Sequence, residues 1–103
     1  METHPKKRLE IIVERPILRR VLDLLDELDV PGYTVLPALA GRGRRGKWRR
    51  EGMVGEAGQM VAITCVMDES RIDAVLGPVF KLVSRQIGIV TVSDVEVIRQ
   101  EHF

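Results

Sequence analysis

The chain is poor in the residues that build covalent or metal-bound frameworks. Its 103 residues include one cysteine, Cys65, and two histidines, His4 and His102, which lie at opposite ends of the sequence. A single cysteine excludes an internal disulfide and a cysteine-rich metal site, and the two histidines lack the spacing of metal ligands. Cys65 lies in an apolar run, so we interpret it as a small core residue of a protein from a reducing compartment.

Long apolar runs and catalytic constellations are also missing. No stretch reaches the length of about 18 apolar residues that a membrane-spanning helix needs, and the amino-terminal segment has no apolar stretch of signal length. We therefore expect a cytoplasmic protein. Adjacent carboxylates, such as Asp26 with Glu27, are explained by exposed helix surfaces, and no Ser/His/Asp or Cys/His arrangement is present. The sequence predicts neither enzymatic activity nor a metal or cofactor.

Positive charge is concentrated in one glycine-rich stretch, residues 41–52 (GRGRRGKWRREG). This stretch carries six bases and one acid, whereas the rest of the chain carries 10 bases and 14 acids. The six bases are Arg42, Arg44, Arg45, Lys47, Arg49 and Arg50. The formal net charge is only +1, so the molecule has no global basic field for nucleic acid. We interpret the stretch as a functional loop that contacts an anion, a nucleic acid or a partner protein.

Hydrophobic periodicity predicts four strands and two helices. Strands are expected at residues 8–14, 33–38, 60–67 and 88–98, and helices at residues 16–28 and 70–83. The order, with a structureless basic loop at about 39–58, is that of a ferredoxin-like βαββαβ domain covering residues 1–103. Such a fold is α+β: a four-stranded antiparallel sheet with two helices on one face.

Two details of these elements carry further expectations. Ser70 is expected to cap the second helix with Asp73 in capping-box position, and Pro78 is expected to kink that helix without splitting it. The strand at residues 60–67 is apolar on both faces. Because one layer of helices covers only one face, we expect the other face to pack against another subunit.

Three functional classes are compatible with this plan. In a sensor of small molecules, Gly41 and Gly43 would let the backbone approach an anion in a nest, and Arg44 and Arg45 would clamp phosphate. An RNA-binding module of this strand order needs aromatic residues on its third strand, and residues 60–67 have none. An enzyme of the acylphosphatase type needs a longer loop after its first strand. Trp48 either packs on the body, stacks on a base or inserts into a partner.

The motifs in their order along the chain resemble the PII signalling superfamily. The resemblance is carried by KRLEII at residues 7–12, GYTV at 32–35, GRGR at 41–44 and SDVEVI at 93–98. It is closest to the PII-like branch associated with bicarbonate transport and carboxysomes, in which a histidine and a phenylalanine follow the last strand, as His102 and Phe103 do here. It covers nearly the whole chain.

The resemblance implies a non-enzymatic homotrimer that binds adenine nucleotides in clefts between its subunits. The basic loop would be the T-loop, through which a target is regulated, here an inorganic-carbon transporter that recruits the protein to the membrane. By this resemblance the nucleotide-binding residues are Thr34, Gly41, Gly43, Arg44, Arg45, Arg85, Gln86, Ile87 and Gly88. The partner-binding residues are Lys47, Trp48, Arg49 and Arg50.

The chain also departs from the standard nitrogen-regulatory members. The B-loop position holds only residues 84–88 (SRQIG), without the longer T-G-x-x-G-D-G-K pattern, and the loop tip has no tyrosine for uridylylation. We therefore expect AMP, ADP or cyclic AMP rather than ATP with 2-oxoglutarate, with bicarbonate as a further ligand. The rival interpretation is a basic-loop RNA-binding or protein-adaptor module on the same fold.

Overall fold

A computed structural model describes residues 1–43, the backbone of residues 46–49, and residues 59–99, 101 and 103. The strands are β1 (His4–Glu14), β2 (Thr34–Pro37), β3 (Ala40–Gly43), β4 (Gly46–Arg49), β5 (Met60–Met67) and β6 (Gly88–Val97). The helices are α1 (Leu18–Glu27), preceded by a 3-10 turn at Arg15–Ile17, and α2 (Glu69–Val83). Strands β2, β5, β1 and β6 form one antiparallel sheet in that order. The predicted ferredoxin-like fold is confirmed.

The core lies between the two helices and one face of this sheet, which we call the inner face. From Leu9 to Glu14 of β1 and along all of β5 every second residue is buried, as expected of strands with one covered side. The buried apolar side chains of the two central strands are Leu9, Ile11, Val13, Val61, Ile63, Cys65 and Met67. The helices contribute Val21, Leu25, Ile72, Val75, Val79 and Val83 to the same cluster. Cys65 is thus a core residue, as predicted.

The opposite side of the sheet, the outer face, carries no described helix. The alternate residues of β5, from Met60 to Val66, are half-buried there, whereas Leu36 of β2 and Ile89 of β6 are exposed by 53% and 54%. Because the strand at residues 60–67 is apolar on both sides, the sequence predicted an apolar surface opposite the helices. The outer face is that surface, and the described residues of a single chain leave it uncovered. Among the described residues, no helix has the length and apolar character needed to cross a membrane.

Strand β1 begins four residues earlier than predicted. His4 to Lys7 pair with Asp94 to Val97 of β6, and the two lysines of this stretch are held by carboxylates. Lys6 forms an ion pair with Asp68, and Lys7 forms one with Asp94. The sequence did not predict this part of the strand because Lys6 and Lys7 are charged. Their carboxylate partners come from distant parts of the chain.

Helix α2 is a single helix with Pro78 inside it, so the expectation that the helix does not split is confirmed. The predicted cap is wrong. Asp68, not Ser70, is the N-cap: its backbone is extended and its carbonyl oxygen accepts a hydrogen bond from the N–H of Arg71 at 3.0 Å. Ser70 already lies in the first turn of the helix, where its side chain cannot act as the N-cap.

The prediction of a structureless loop between β2 and β5 is also wrong in part. Strands β3 and β4 pair antiparallel as a separate two-stranded ribbon, with Gly43 opposite Gly46 and Ala40 opposite Arg49. Glycine and arginine have little intrinsic preference for strands, so the pattern gave no signal, and the ladder hydrogen bonds form within the ribbon itself. Residues 46–49 of the predicted loop belong to β4, and residues 50–58 lie outside the described part of the chain.

Candidate functional site

The predicted nucleotide-binding residues fall into two groups on opposite edges of the sheet. Thr34 is the first residue of edge strand β2, and Gly41 and Gly43 lie in β3, which follows β2 along the chain. Residues 85–87 form the turn between α2 and β6, and Gly88 is the first residue of the other edge strand. Arg44 and Arg45 lie outside the described residues.

The strand register gives the distance across the sheet between the two groups of predicted nucleotide-binding residues. Pro37 at the end of β2 pairs with Val61, Val61 pairs with Val13, and Val13 pairs with Gly88. Pro37 and Gly88 therefore lie in one row across the sheet, three inter-strand spacings apart, or roughly 14 Å. The turn before β6 and the start of the basic ribbon thus share one end of the sheet, while a single chain does not bring Thr34 and Gly88 into contact.

The turn at residues 84–87 is short and closed by its own hydrogen bonds. The N–H of Ser84 donates to the carbonyl oxygen of Phe80 at 2.8 Å, and the N–H of Gln86 donates to that of Val83 at 2.8 Å. These bonds continue the last turn of α2 and fix the backbone. The side chains of Arg85, Gln86 and Ile87 are exposed, so they are available to a ligand on this edge.

The basic ribbon differs from the anion-binding nest that the sequence predicted. A nest is a concave turn of successive amides, whereas residues Ala40 to Gly43 are extended and paired with β4. Arg42 is exposed and stands opposite Lys47 in the register, and Gly41 stands opposite Trp48. Any anion contact of this segment therefore uses arginine side chains or the outward edge of the ribbon. Of the predicted partner-binding residues, Arg50 lies outside the described part of the chain.

Tyr33 is a residue that the sequence analysis did not assign to the site. Its hydroxyl donates a hydrogen bond to Oδ1 of Asp26 at 3.0 Å, and this bond raises the pKa of the Tyr33 phenol. Asp26 had been explained as an exposed helix residue, yet it links α1 to the segment directly before Thr34. The spacing of seven residues across a helix end and a Pro-Gly turn carries no recognisable pattern, so only the folded chain shows the contact.

No group of three or more metal-ligating side chains occurs in the part of the chain that the structure describes. Ion pairs of Lys6 with Asp68 and of Lys7 with Asp94 lie at the amino-terminal end of β1, away from the predicted nucleotide-binding residues at the other end of the sheet. This site is built from backbone, exposed arginines and small residues, which suits the binding of an anionic ligand more than bond-making chemistry.

Comparison with known proteins identifies relatives over almost the full length. The family profile of the nitrogen regulatory protein P-II matches residues 6–102. The structure of CPII from Thiomonas intermedia K12, a nitrogen regulatory PII-like protein bound to ADP, AMP and bicarbonate, is 31% identical, with a TM-score of 0.84 over 95% of this chain and 92% of that chain. CPII bound to ADP and bicarbonate is similar too, at 30% identity and a TM-score of 0.81, over 95% of this chain and 93% of that chain.

More distant structures share the fold. A PII-like signalling protein from Thermus thermophilus is 25% identical, with a TM-score of 0.75 over 95% of this chain and 94% of that chain. A DUF3240 family protein from Shewanella baltica, at 14% identity and a TM-score of 0.67 over 92% of each chain, shows the fold alone. No curated protein sequence matches the chain.

Proposed function

The chain belongs to the nitrogen regulatory protein P-II family, and we propose that it senses adenine nucleotides as a PII-like signalling protein. Proteins of this family are regulators without enzymatic activity. The observation that carries the proposal is the similarity to CPII, a protein bound to ADP, AMP and bicarbonate, along 95% of this chain. The expected ligands are ADP, AMP or cyclic AMP, with bicarbonate as a further ligand.

The proposed binding site is a cleft between subunits of a homotrimer. Thr34 and Gly88 lie on opposite edges of one sheet, which are roughly 14 Å apart by strand spacing, and the two residues also lie in different rows of the sheet. A ligand held by both groups therefore needs two copies of the chain, one supplying β2 and the other supplying the turn at residues 84–88. The uncovered outer face supplies apolar surface for the association of these copies.

The proposed output is the basic segment at about residues 39–58, acting as a T-loop within a single domain of residues 1–103. Lys47, Trp48, Arg49 and Arg50 would contact a target protein, and an inorganic-carbon transporter is the expected target. The protein would act in the cytoplasm and reach the membrane only through that transporter. Strands β3 and β4 give the segment a two-stranded stem at its amino-terminal part, so ligand bound at the stem could shift the orientation of the tip.

Isothermal titration calorimetry with AMP, ADP, ATP and cyclic AMP, each with and without bicarbonate, tests the proposal. We expect saturable binding of at least one nucleotide with fewer than three phosphates. The Arg44→Ala variant should weaken that binding by roughly 1.5–3 kcal/mol, the worth of a hydrogen bond to a charged group. Arg20→Ala, which changes an exposed arginine of α1, is the matched control and should bind as the wild type does.

Two results would contradict this function. Absence of binding by every nucleotide, together with RNA binding whose affinity falls steeply with salt, would replace the sensor with the rival nucleic-acid module. Unchanged affinity in Arg44→Ala would move the phosphate site away from the base of the T-loop while leaving the sensor itself in place.

A further inference from the structure

The connection between α1 and β2 leads directly to Thr34, the predicted nucleotide-binding residue at the start of β2. Side chains of both helices hold it. Nη2 of Arg71 in α2 donates a hydrogen bond to the carbonyl oxygen of Leu28 at 2.9 Å. The hydroxyl of Tyr33 donates a hydrogen bond to Oδ1 of Asp26 in α1 at 3.0 Å. The connection is therefore fastened at both of its ends.

The middle of this connection and the strand that follows it have few contacts of their own. Pro31 and Gly32 are exposed, and a Cβ built on Gly32 would meet no atom of the described chain within 4 Å. β2 has four residues and, in the described part of the chain, pairs with β5 alone. A short strand at the edge of a sheet opens more easily than a central strand, because it has few ladder hydrogen bonds. The amino-terminal end of β2 therefore gains order from a contact outside the ladder.

Tyr33 and Thr34 are directed to opposite sides of the sheet. Thr34 pairs with Thr64, one of the alternate residues of β5 on the outer face, and directly opposed residues of an antiparallel pair share a face. The bond to Asp26 places the phenol of Tyr33 on the inner side, where α1 lies. Because the two residues are adjacent, a phenol fixed on one side also fixes the orientation of Thr34 on the other.

The phenol hydroxyl of Tyr33 makes this contact, and the ring is not part of the core. Tyr33 is 37% exposed, so its ring lies at the surface. In the described part of the chain, the charged groups that act on the hydroxyl are Asp26, Asp23 and Arg19, all of α1. A hydrogen bond to an ionised carboxylate is stronger than one between neutral groups. Loss of the hydroxyl would release the start of β2 from α1 without opening the core.

We propose that the hydrogen bond between Tyr33 and Asp26 is a positioning contact that holds Thr34 in place for the nucleotide. The inference rests on the proposed function and assigns to it two residues that act through Thr34. Without the bond, ligand binding would have to order the start of β2, and the free energy of that ordering would be subtracted from the affinity. A nucleotide bound beside Thr34 in turn favours the bonded state, because coupling between two equilibria is reciprocal.

The first experiment measures the affinity for ADP, or for AMP or cyclic AMP where one of these binds more tightly, in variants of the contact. Tyr33→Phe removes only the hydroxyl and should weaken binding roughly 3- to 10-fold, the effect of one hydrogen bond. Asp26→Ala should weaken binding by a similar factor. The double variant should be no weaker than either single variant, because both changes remove the same interaction. Asp26→Asn keeps an oxygen that accepts the bond and should retain most of the affinity.

Asp23→Ala is the matched control for the change at Asp26. Asp23 is an exposed carboxylate of the same helix and lies 3.9 Å from Nη1 of Arg19. The variant therefore removes the same charge from α1 but leaves the bond of Tyr33 intact, and it should bind the nucleotide as the wild type does. Circular dichroism checks that every variant retains the wild-type secondary structure.

The second experiment follows the ionisation of Tyr33, which is the only tyrosine of the chain and can be observed directly by ultraviolet absorbance. The bond to Asp26 raises the pKa of the Tyr33 phenol above its ordinary value. Because a bound nucleotide favours the bond, saturating ADP should raise this pKa further, and the affinity for ADP should fall as the pH rises through it. Tyr33→Phe should lack that fall. In Asp26→Ala the shift caused by ADP should be lost, which separates the hydrogen bond from direct repulsion by the phosphates.

Three outcomes would overturn the inference and leave the proposed function in place. The first is a Tyr33→Phe variant with the affinity of the wild type, and the second is a pKa of Tyr33 that the bound nucleotide leaves unchanged. The third is an equal loss of affinity in Asp23→Ala, which would assign the effect to the charge of α1 and not to the bond. A wild type that binds no nucleotide would reject the proposed function and this inference together, so the two failures are distinguishable.

Discussion

Gly88 and Ile12 approach each other so closely that no side chain fits between them. A Cβ built on Gly88 would lie 2.7 Å from the carbonyl oxygen of Ile12 and 2.9 Å from Cγ1 of Val13. Gly88 is also the residue at which the turn after α2 enters the sheet. Packing against β1 therefore requires a glycine at position 88, whether or not Gly88 contacts a ligand. This close packing determines where the turn enters β6.

Replacing Gly88 by alanine should destabilise the fold. The added methyl group meets a backbone oxygen that cannot move without disturbing the pairing of β1, so we expect a loss of about 1–3 kcal/mol in the free energy of unfolding. Urea denaturation measures it. Gly32→Ala is the control, because a Cβ there meets nothing within 4 Å, and it should change stability by less than about 1 kcal/mol. Equal effects of the two substitutions would contradict the packing role of Gly88.

Arg71 of α2 ties the two helices together at the end of α1. Its Nη2 donates a hydrogen bond to the carbonyl oxygen of Leu28 at 2.9 Å, a carbonyl at the end of α1. Arg71→Ala should therefore lower the free energy of unfolding by about 0.5–1.5 kcal/mol. Arg19→Ala, which removes an exposed pair with Asp23, should cost less than about 0.5 kcal/mol. Equal melting temperatures of the two variants would show that the hydrogen bond of Arg71 contributes no more to stability than the exposed pair of Arg19 with Asp23.

Cys65 should be unreactive in the native protein and should make stability fall at alkaline pH. The side chain is 3% exposed, and burial raises the pKa of its thiol from 9.0 to about 11. A raised pKa means that the unfolded chain loses this proton first, so the contribution is complete below pH 9 and is lost as the pH rises towards 11.

The measurement compares wild type with Cys65→Val across this range. Wild type should lose more stability than the valine variant between pH 9 and pH 11 in urea titrations, while the effects of other groups cancel. A thiol reagent at a pH of about 8 should react with Cys65 slowly until urea unfolds the chain. Rapid labelling without urea would show that the residue is not part of the core.

Lys6 of β1 is a buried cation. Its effect on the stability of the fold depends on the groups that contact its ammonium. Its side chain is 6% exposed, it is paired with Asp68, and the centroid of the Phe103 ring lies 5.9 Å from its Nζ. Asp68→Asn keeps a good N-cap but leaves the ammonium without its counter-charge, so we expect a loss of about 1–3 kcal/mol in the free energy of unfolding. Lys6→Met should cost less, because it removes the charge that needs a partner.

A matched control comes from the neighbouring ion pair. Lys7 pairs with Asp94, whose side chain is 84% exposed, so Asp94→Asn breaks a pair of the same type in water. We expect that change to cost less stability in urea denaturation than Asp68→Asn does, because water screens the exposed pair. A cost as large as that of Asp68→Asn would mean that burial does not distinguish the two lysines.

The sequence by itself determined the elements whose apolar residues follow a clear period. β5 has the predicted bounds because each of its alternate residues is buried on the inner face, and α2 remains one helix because its apolar stripe continues across Pro78. Resemblance then supplied the family and the candidate residues. These signals are local, since they depend on side chains within one turn or one strand.

Tertiary structure alone decided which of these residues lie near one another. Strand β1 begins as early as His4 because Lys6 and Lys7 pair with carboxylates from distant parts of the chain. The arginine-rich loop contains a two-stranded ribbon because β3 and β4 pair with each other. Thr34 and Gly88 lie on opposite edges because β5 and β1 insert between their strands. Pairing between distant strands is a property of the whole chain, so no local pattern could show that Thr34 and Gly88 lie on opposite edges of the sheet.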